Sequence, residues 1–357
     1  MTNRAWLCDA LGMTTALGFS GLTLLVVFAT SGCSGGDLTG DSAGDPASEL
    51  DGTVTEALRS VDAGDSILVA VADGAILRFS TAGASKGTFA QGPSNPSGMA
   101  LDRFQNVYVA SLADNTVRRF SPSGQDLGVF ASAGLSQPVA LTFDPSGNLY
   151  VANNGDNSIA KFSAAGKALG TIVSLLGEGC VYGMVFERWG DLLVADPCYN
   201  IVRKFSATGR ELGVFASAGL STPLTLLLKP NGNLLVACSD DAGAFRNTIR
   251  EFTSTGRDLG TFTATGLNFP SDLAFDARGN LLVTNEQQRP GALDYAIQKV
   301  AADGTDLGEF ALLSSQPRAL VVMSSSRCGE HAKRSHSRRC GPGTARSLLG
   351  PSFPVQE

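Results

Sequence analysis

The side chains best equipped for chemistry in this chain are oxygen donors that recur at one place in a repeated pattern. They are Asn153, Asp196, Asp240, Asp241, Asn285 and Glu286, each shortly after an apolar run of the N-L-Y-V-A type. Carboxylate and amide oxygens from several loops suit Ca²⁺ or Mg²⁺ if they converge on one point. The same residue types bond backbone N–H groups in tight turns, a role that needs no convergence. Imidazole chemistry has no place among these residues, because the two histidines, His331 and His336, both lie near the C-terminal end of the sequence.

A second acidic series, Asp102, Asp144, Glu187 and Asp276, stands before tight turns, while Lys229 and Met323 hold the same slot in two other copies. A catalytic ring would need an unbroken set, so these acids read as turn caps. Of the seven cysteines, Cys180, Cys198 and Cys238 fall inside the repeated region. No C-x-x-C occurs, which leaves thioredoxin-type exchange and structural zinc with little support. If Glu187 pairs with Asp191 across a hairpin turn, the same register sets Cys180 opposite Cys198. A disulfide is expected there, with Cys238 as the competing partner. Cys328, His331, His336 and Cys340 have knuckle-like spacing but no hydrophobic support for a zinc module.

A repeat positions these side chains. Phe79, Phe120, Phe162, Phe205, Phe252 and Val300 recur every 41 to 48 residues in an I-x-R-F-S type segment, a period that signals a propeller or a solenoid. After each comes a turn glycine (Gly83, Gly124, Gly166, Gly209, Gly256, Gly304) and an L-G-x-F type strand. An inner strand follows, often introduced by proline (Pro96, Pro138, Pro223, Pro270, Pro317), and then the N-L-Y-V-A strand. Each repeat is thus four short antiparallel strands, one blade. The ends complement each other: Ile67 to Ala70 lacks a preceding inner strand, and Ala319 to Met323 lacks a following one. The expected fold is an all-β, six-bladed β-propeller of four-stranded antiparallel blades, its ring closed by N- and C-terminal strands that share one blade. Two extended loops, Cys238 to Thr248 and Asn285 to Tyr295, mark one face as the functional one.

The ends of the chain carry an address. Leu22 to Ala29 is a dense apolar run, short for a membrane span of about 20 residues, and it ends at Thr30-Ser31-Gly32-Cys33. Residues 1–32 therefore read as a signal peptide, and the small residues before Cys33 resemble a bacterial lipobox, with Thr30 where Leu is usual. We expect lipidation at Cys33, a flexible Gly, Ser and Asp-rich tether over 33–50, a propeller over 51–323 and a disordered basic tail over 324–357. The expected address is an exported, membrane-anchored lipoprotein, periplasmic or on the cell surface. A net charge of −6 argues against a nucleic-acid partner.

The stretch from Pro138 to Asn153 reads P-x-x-L-x-F-D-x-x-G-N-L-Y-V-A-N, and Ile159 to Gly166 reads I-x-K-F-S-x-x-G. This pattern resembles the NHL repeat, and the resemblance spans residues 66 to 323. It implies the propeller fold within a group of surface binding modules, streptogramin lyases, gluconolactonase-type lactonases and peptidyl amide lyases. The lactonases of that group hold one metal with a Glu, an Asn and an Asp from different blades. Asn153, Asp196 and Asn285 begin loops in three blades and form the corresponding candidate set, with no matching Glu assigned by spacing. The lyases use an essential histidine, and none lies between residues 34 and 330. The first functional expectation is a monomeric, lipid-anchored scaffold that binds a protein or small molecule at its loop face without catalysis. The alternative is a divalent-metal-dependent lactonase or lyase using Ca²⁺ or Mg²⁺.

Overall fold

The computed structural model describes residues 65–239, 247–287 and 294–324. The expected signal peptide and Cys33, the tether, all but the first residue of the tail, Asp240 and Asp241 lie outside the described residues. Those described form 24 strands and, among them, no helix. Six four-stranded antiparallel sheets result. Their inner strands are Pro317–Met323, Pro96–Leu101, Pro138–Phe143, Met184–Phe186, Pro223–Leu228 and Pro270–Phe275, which we take as blades one to six. Blade one joins the two ends of the described chain, with Ser66 opposite Met323 and Ala70 opposite Ala319. The ring closes as the complementary end fragments require.

Burial follows from the position of each strand within its blade. The second strands, such as Leu149–Asn153 and Leu234–Cys238, are buried at every residue because neighbouring blades cover both faces. That is why they are continuous runs of Leu, Val and Ala rather than an alternating pattern. The core is six interblade clusters, each drawn from two adjacent blades. One of them unites Phe79 of blade one with Leu282 and Ile297 of blade six, so ring closure is also a packing event. The recurrent phenylalanines, Phe79, Phe120, Phe162, Phe205 and Phe252, are at most 3% exposed. Each contributes about 2–3 kcal/mol of burial.

The turn glycines do two things at once. Gly209 has φ of 85°, and a Cβ on it would overlap the Ile172 carbonyl oxygen of the preceding blade. The glycine is therefore required both by its own left-handed backbone and by the close approach of the neighbouring outer strand. On the same side of the ring, between the first two strands of a blade, Asp102, Asp144 and Asp276 each accept two turn N–H groups on Oδ1. Glu187, in the same slot, pairs with Lys204 at 2.6 Å, as Asp144 and Asp276 pair with Lys161 and Lys299.

Candidate functional site

The inner strands all run the same way around a central channel, which encloses a cavity of about 340 Å³. Aligned by repeat, their second residues are Ser97, Val139, Tyr182, Leu224, Ser271 and Arg318, and their third are Gly98, Ala140, Gly183, Thr225, Asp272 and Ala319. One step further in, Met99, Leu141, Met184, Leu226, Leu273 and Leu320 form an apolar collar. Polar groups thus gather at the mouth where the inner strands begin. This is the face onto which the loops between second and third strands open.

The third slot is crowded, which explains its small residues. A Cβ on Gly98 would stand 2.6 Å from the Val139 carbonyl oxygen, and the Gly183 N–H donates to the Leu224 carbonyl of the next blade at 2.8 Å. Asp272 occupies this ring and uses the closeness to bridge blades. Its Oδ2 accepts the Leu320 N–H of blade one at 2.8 Å. Its Oδ1 accepts the Leu273 N–H at 2.9 Å and the Thr225 hydroxyl of blade five at 3.4 Å. Burial pushes this carboxyl up to about 7, against those hydrogen bonds, and the nearby charge of Glu286 pushes it the same way.

Glu286 directly follows the second strand of blade six, Leu281–Asn285, at the root of one extended loop. Its Oε2 lies 3.0 Å from Nη1 of Arg318, and the Gln316 side-chain amide donates to its carbonyl oxygen at 2.9 Å. Burial raises the Glu286 carboxyl, and the Arg318 charge and the Ser271 hydroxyl hold it back. Tyr182 enters from blade four, across the six-membered ring from the Arg318 of blade one. Burial raises its phenol, Glu286 raises it further and Arg318 opposes. The three groups therefore share one electrostatic environment. The mouth thus holds the Asp272 carboxyl, the Glu286–Arg318 pair, the neutral phenol of Tyr182 and the hydroxyls of Ser97, Thr225 and Ser271. Such a set matches a ligand that carries donors and acceptors together.

The oxygen donors singled out in the sequence divide sharply. Among those described, Glu286 lines the channel. Asn153 and Asn285 sit at the same repeat position and clamp the loop that enters their own blade. Asn153 accepts the Ser136 N–H and donates to Gly134 O, and Asn285 accepts the Asn268 N–H and donates to Gly266 O. Asp196 accepts N–H groups of Cys180, Cys198 and Tyr199 on Oδ1 and pairs with Arg203 at 2.7 Å through Oδ2. These three are engaged with their own loops. Among the described residues, one group of three metal-competent side chains occurs, Cys180, Asp196 and Cys198. Its two sulfurs are joined in a disulfide with Cα atoms 5.5 Å apart, which removes them as thiolate ligands. Cys238 is a free, buried thiol whose pKa burial pushes up to about 11.

Asp272, Tyr182, Arg318, Ser271 and Thr225 were not singled out from the sequence. A signal was present: Asp272 stands in a slot where four other copies have Gly or Ala. A charge in a slot kept small by packing breaks the local rule and marks a site.

No family model matches the chain, and no curated protein matches its sequence. Solved structures do match. One from a nidogen/laminin complex is 16% identical with a TM-score of 0.60, covering 73% of this chain and 98% of that one. A protein of unknown function from Bacteroides caccae gives 16% identity and a TM-score of 0.59, covering 73% and 99%. A gluconolactonase from Xanthomonas campestris gives 15% and 0.55, covering 73% and 92%. These likenesses establish the propeller fold.

Proposed function

We propose that the protein is an exported, lipid-anchored propeller that binds a small, uncharged, hydroxyl-rich molecule at its channel mouth without transforming it. The observation that carries this is the convergence of Asp272, Glu286, Arg318 and Tyr182 on one cavity over an apolar collar. A cavity of about 340 Å³ lies at the small end of the range for ligand sites. Hydroxyl groups satisfy carboxylates, guanidinium and phenol alike, and an apolar ring face rests on the collar. Arg318 saturates the fixed negative charge of Glu286, which favours a neutral ligand over a cation.

A metal-dependent lactonase, the alternative that the NHL resemblance implies, fits these residues poorly. The candidate ligands Asn153, Asp196 and Asn285 hold their own loops. The two carboxylates that do meet at the mouth stand beside a guanidinium that repels a dication. Isothermal titration of the full chain with neutral monosaccharides and with sugar lactones tests the proposal. Saturable heats without lactone consumption support it. Lactone hydrolysis that requires Ca²⁺ or Mg²⁺ and disappears in Glu286→Gln would replace it with the enzyme.

A further inference from the structure

The face of the propeller opposite the channel mouth carries a second surface. It is built from the turns that join first to second and third to outer strands. Exposed charged side chains in these turns are Arg103, Lys167, Arg188, Arg210, Arg257 and Arg278, against the single exposed acid Asp303. The other turn acids are drawn inward: Asp102 caps its own turn, and Asp144, Glu187 with Asp191, and Asp276 pair with Lys161, Lys204 and Lys299. Asp126 and Glu211, at the start of outer strands, pair with Arg118 and Arg203. A chain of net charge −6 has thus sorted unpaired cations onto one face.

Two turns on that face also project large aromatics. Phe104 is 65% and Trp189 is 80% exposed. Each has its preceding arginine stacked over it at 4.7 Å, Arg103 on Phe104 and Arg188 on Trp189. Aromatic rings beside arginines, at the tips of rigid turns, are the composition of a surface that rests in lipid headgroups. The chain ends point the same way. Ser66 is paired with Met323 at this side of the ring, and the Ser324 N–H donates to the Gln105 side chain in the Phe104 turn. In the sequence, Ser324 is followed by a basic stretch that includes Arg327, Lys333, Arg334, Arg338 and Arg339.

We infer that this face docks onto an anionic lipid bilayer, with Phe104 and Trp189 in the headgroup layer and the arginines against lipid phosphates. The channel mouth then opens away from the membrane. The inference does not depend on a channel ligand or on lipidation at Cys33.

The chain has two tryptophans, Trp6 and Trp189, so the full chain with Trp6→Phe reports from the face alone. With vesicles of equimolar phosphatidylcholine and phosphatidylglycerol, Trp189 emission should shift to the blue and be quenched by brominated acyl chains. Pure phosphatidylcholine should leave it unchanged even where the chain sediments with the vesicles. Each basic residue near an anionic surface contributes roughly a fivefold gain in binding. Combined Arg103→Gln, Arg188→Gln and Arg278→Gln should therefore weaken docking by about two orders of magnitude. All three positions are exposed turn tips, and an unchanged far-ultraviolet spectrum will show that the variant is folded. Trp189 emission that stays water-like on anionic vesicles carrying the chain overturns the inference. So does a shift produced by single-stranded RNA and not by vesicles, which would make the face a nucleic-acid surface.

Discussion

Replacing Asp272 by Asn changes one proton equilibrium at the centre of the site and nothing in its shape. Asp272 has its carboxyl raised from 3.8 to about 7 by burial among blades five, six and one. A raised acid binds its proton more tightly in the folded than in the unfolded chain. Its contribution to stability is therefore fully present below the unfolded value and is lost as pH rises from about 4 through 7. About three pH units at 1.36 kcal/mol each set an upper bound of ~4 kcal/mol for this loss. Asn cannot ionise, but it offers one acceptor oxygen where Asp272 accepts N–H groups of Leu320 and Leu273 on two. That costs about 1–2 kcal/mol. The variant should equal or fall slightly below the native chain at pH 5 and exceed it by ~2 kcal/mol at pH 8. At 2–4 °C per kcal/mol, the midpoint gain at pH 8 is about 4–8 °C. Thermal and urea unfolding of both chains across this range measure the difference, and subtraction cancels every other titrating group. Parallel pH profiles for Asp272→Asn and the native chain would refute the placement of this carboxyl. A stabilised variant with weakened ligand binding would show that the acid is kept for function at the expense of stability.

Further perturbations test the frame around the site. The Cys180–Cys198 disulfide closes a loop with sequence separation 18, which loop-closure entropy values at about 3 kcal/mol. The double change Cys180→Ser with Cys198→Ser should lower the unfolding midpoint by about 6–12 °C, and dithiothreitol should reproduce the loss in the native chain but not in the variant. Gly209→Ala should cost at least ~3 kcal/mol, combining left-handed backbone strain with overlap on the Ile172 carbonyl. Chemical denaturation checks it against Gly213→Ala, where a Cβ meets nothing within 4 Å and backbone strain acts alone.

The architecture was legible in the sequence because a propeller writes each structural requirement six times. The phenylalanine series marks interblade packing. The glycine series marks turns that press on the neighbouring blade, and the truncated first and last repeats announce the shared blade. The site was legible only in part, for a reason rooted in the same repetition. Asn153, Asp196 and Asn285 attract notice as oxygen donors at a recurrent loop position, yet recurrence there reflects a recurrent task, clamping the loop that enters their own blade. Asp272 and Arg318 are single departures inside inner strands. Their meaning depends on which side of a strand faces the axis, and on Tyr182 lying across the ring. Spacing along the chain does not carry that information, since blades one and four are far apart in sequence and face each other across the channel only in the closed ring. Glu286 was visible because it adjoins an extended loop, but its partner Arg318 was not.

The central claim is that the channel mouth binds a neutral hydroxyl-rich molecule without a metal. The midpoint of thermal unfolding of the full chain tests it most directly, first in EDTA, then with Ca²⁺ or Mg²⁺, then with a panel of monosaccharides and polyols. A ligand at a hundred times its Kd stabilises by about 2.7 kcal/mol, or roughly 5–10 °C here. The expected result is no saturable shift with either ion and such a rise with at least one neutral polyol, absent in Arg318→Gln. A saturable rise with Ca²⁺ or Mg²⁺ that Glu286→Gln abolishes, or a panel in which no polyol moves the midpoint, would contradict it.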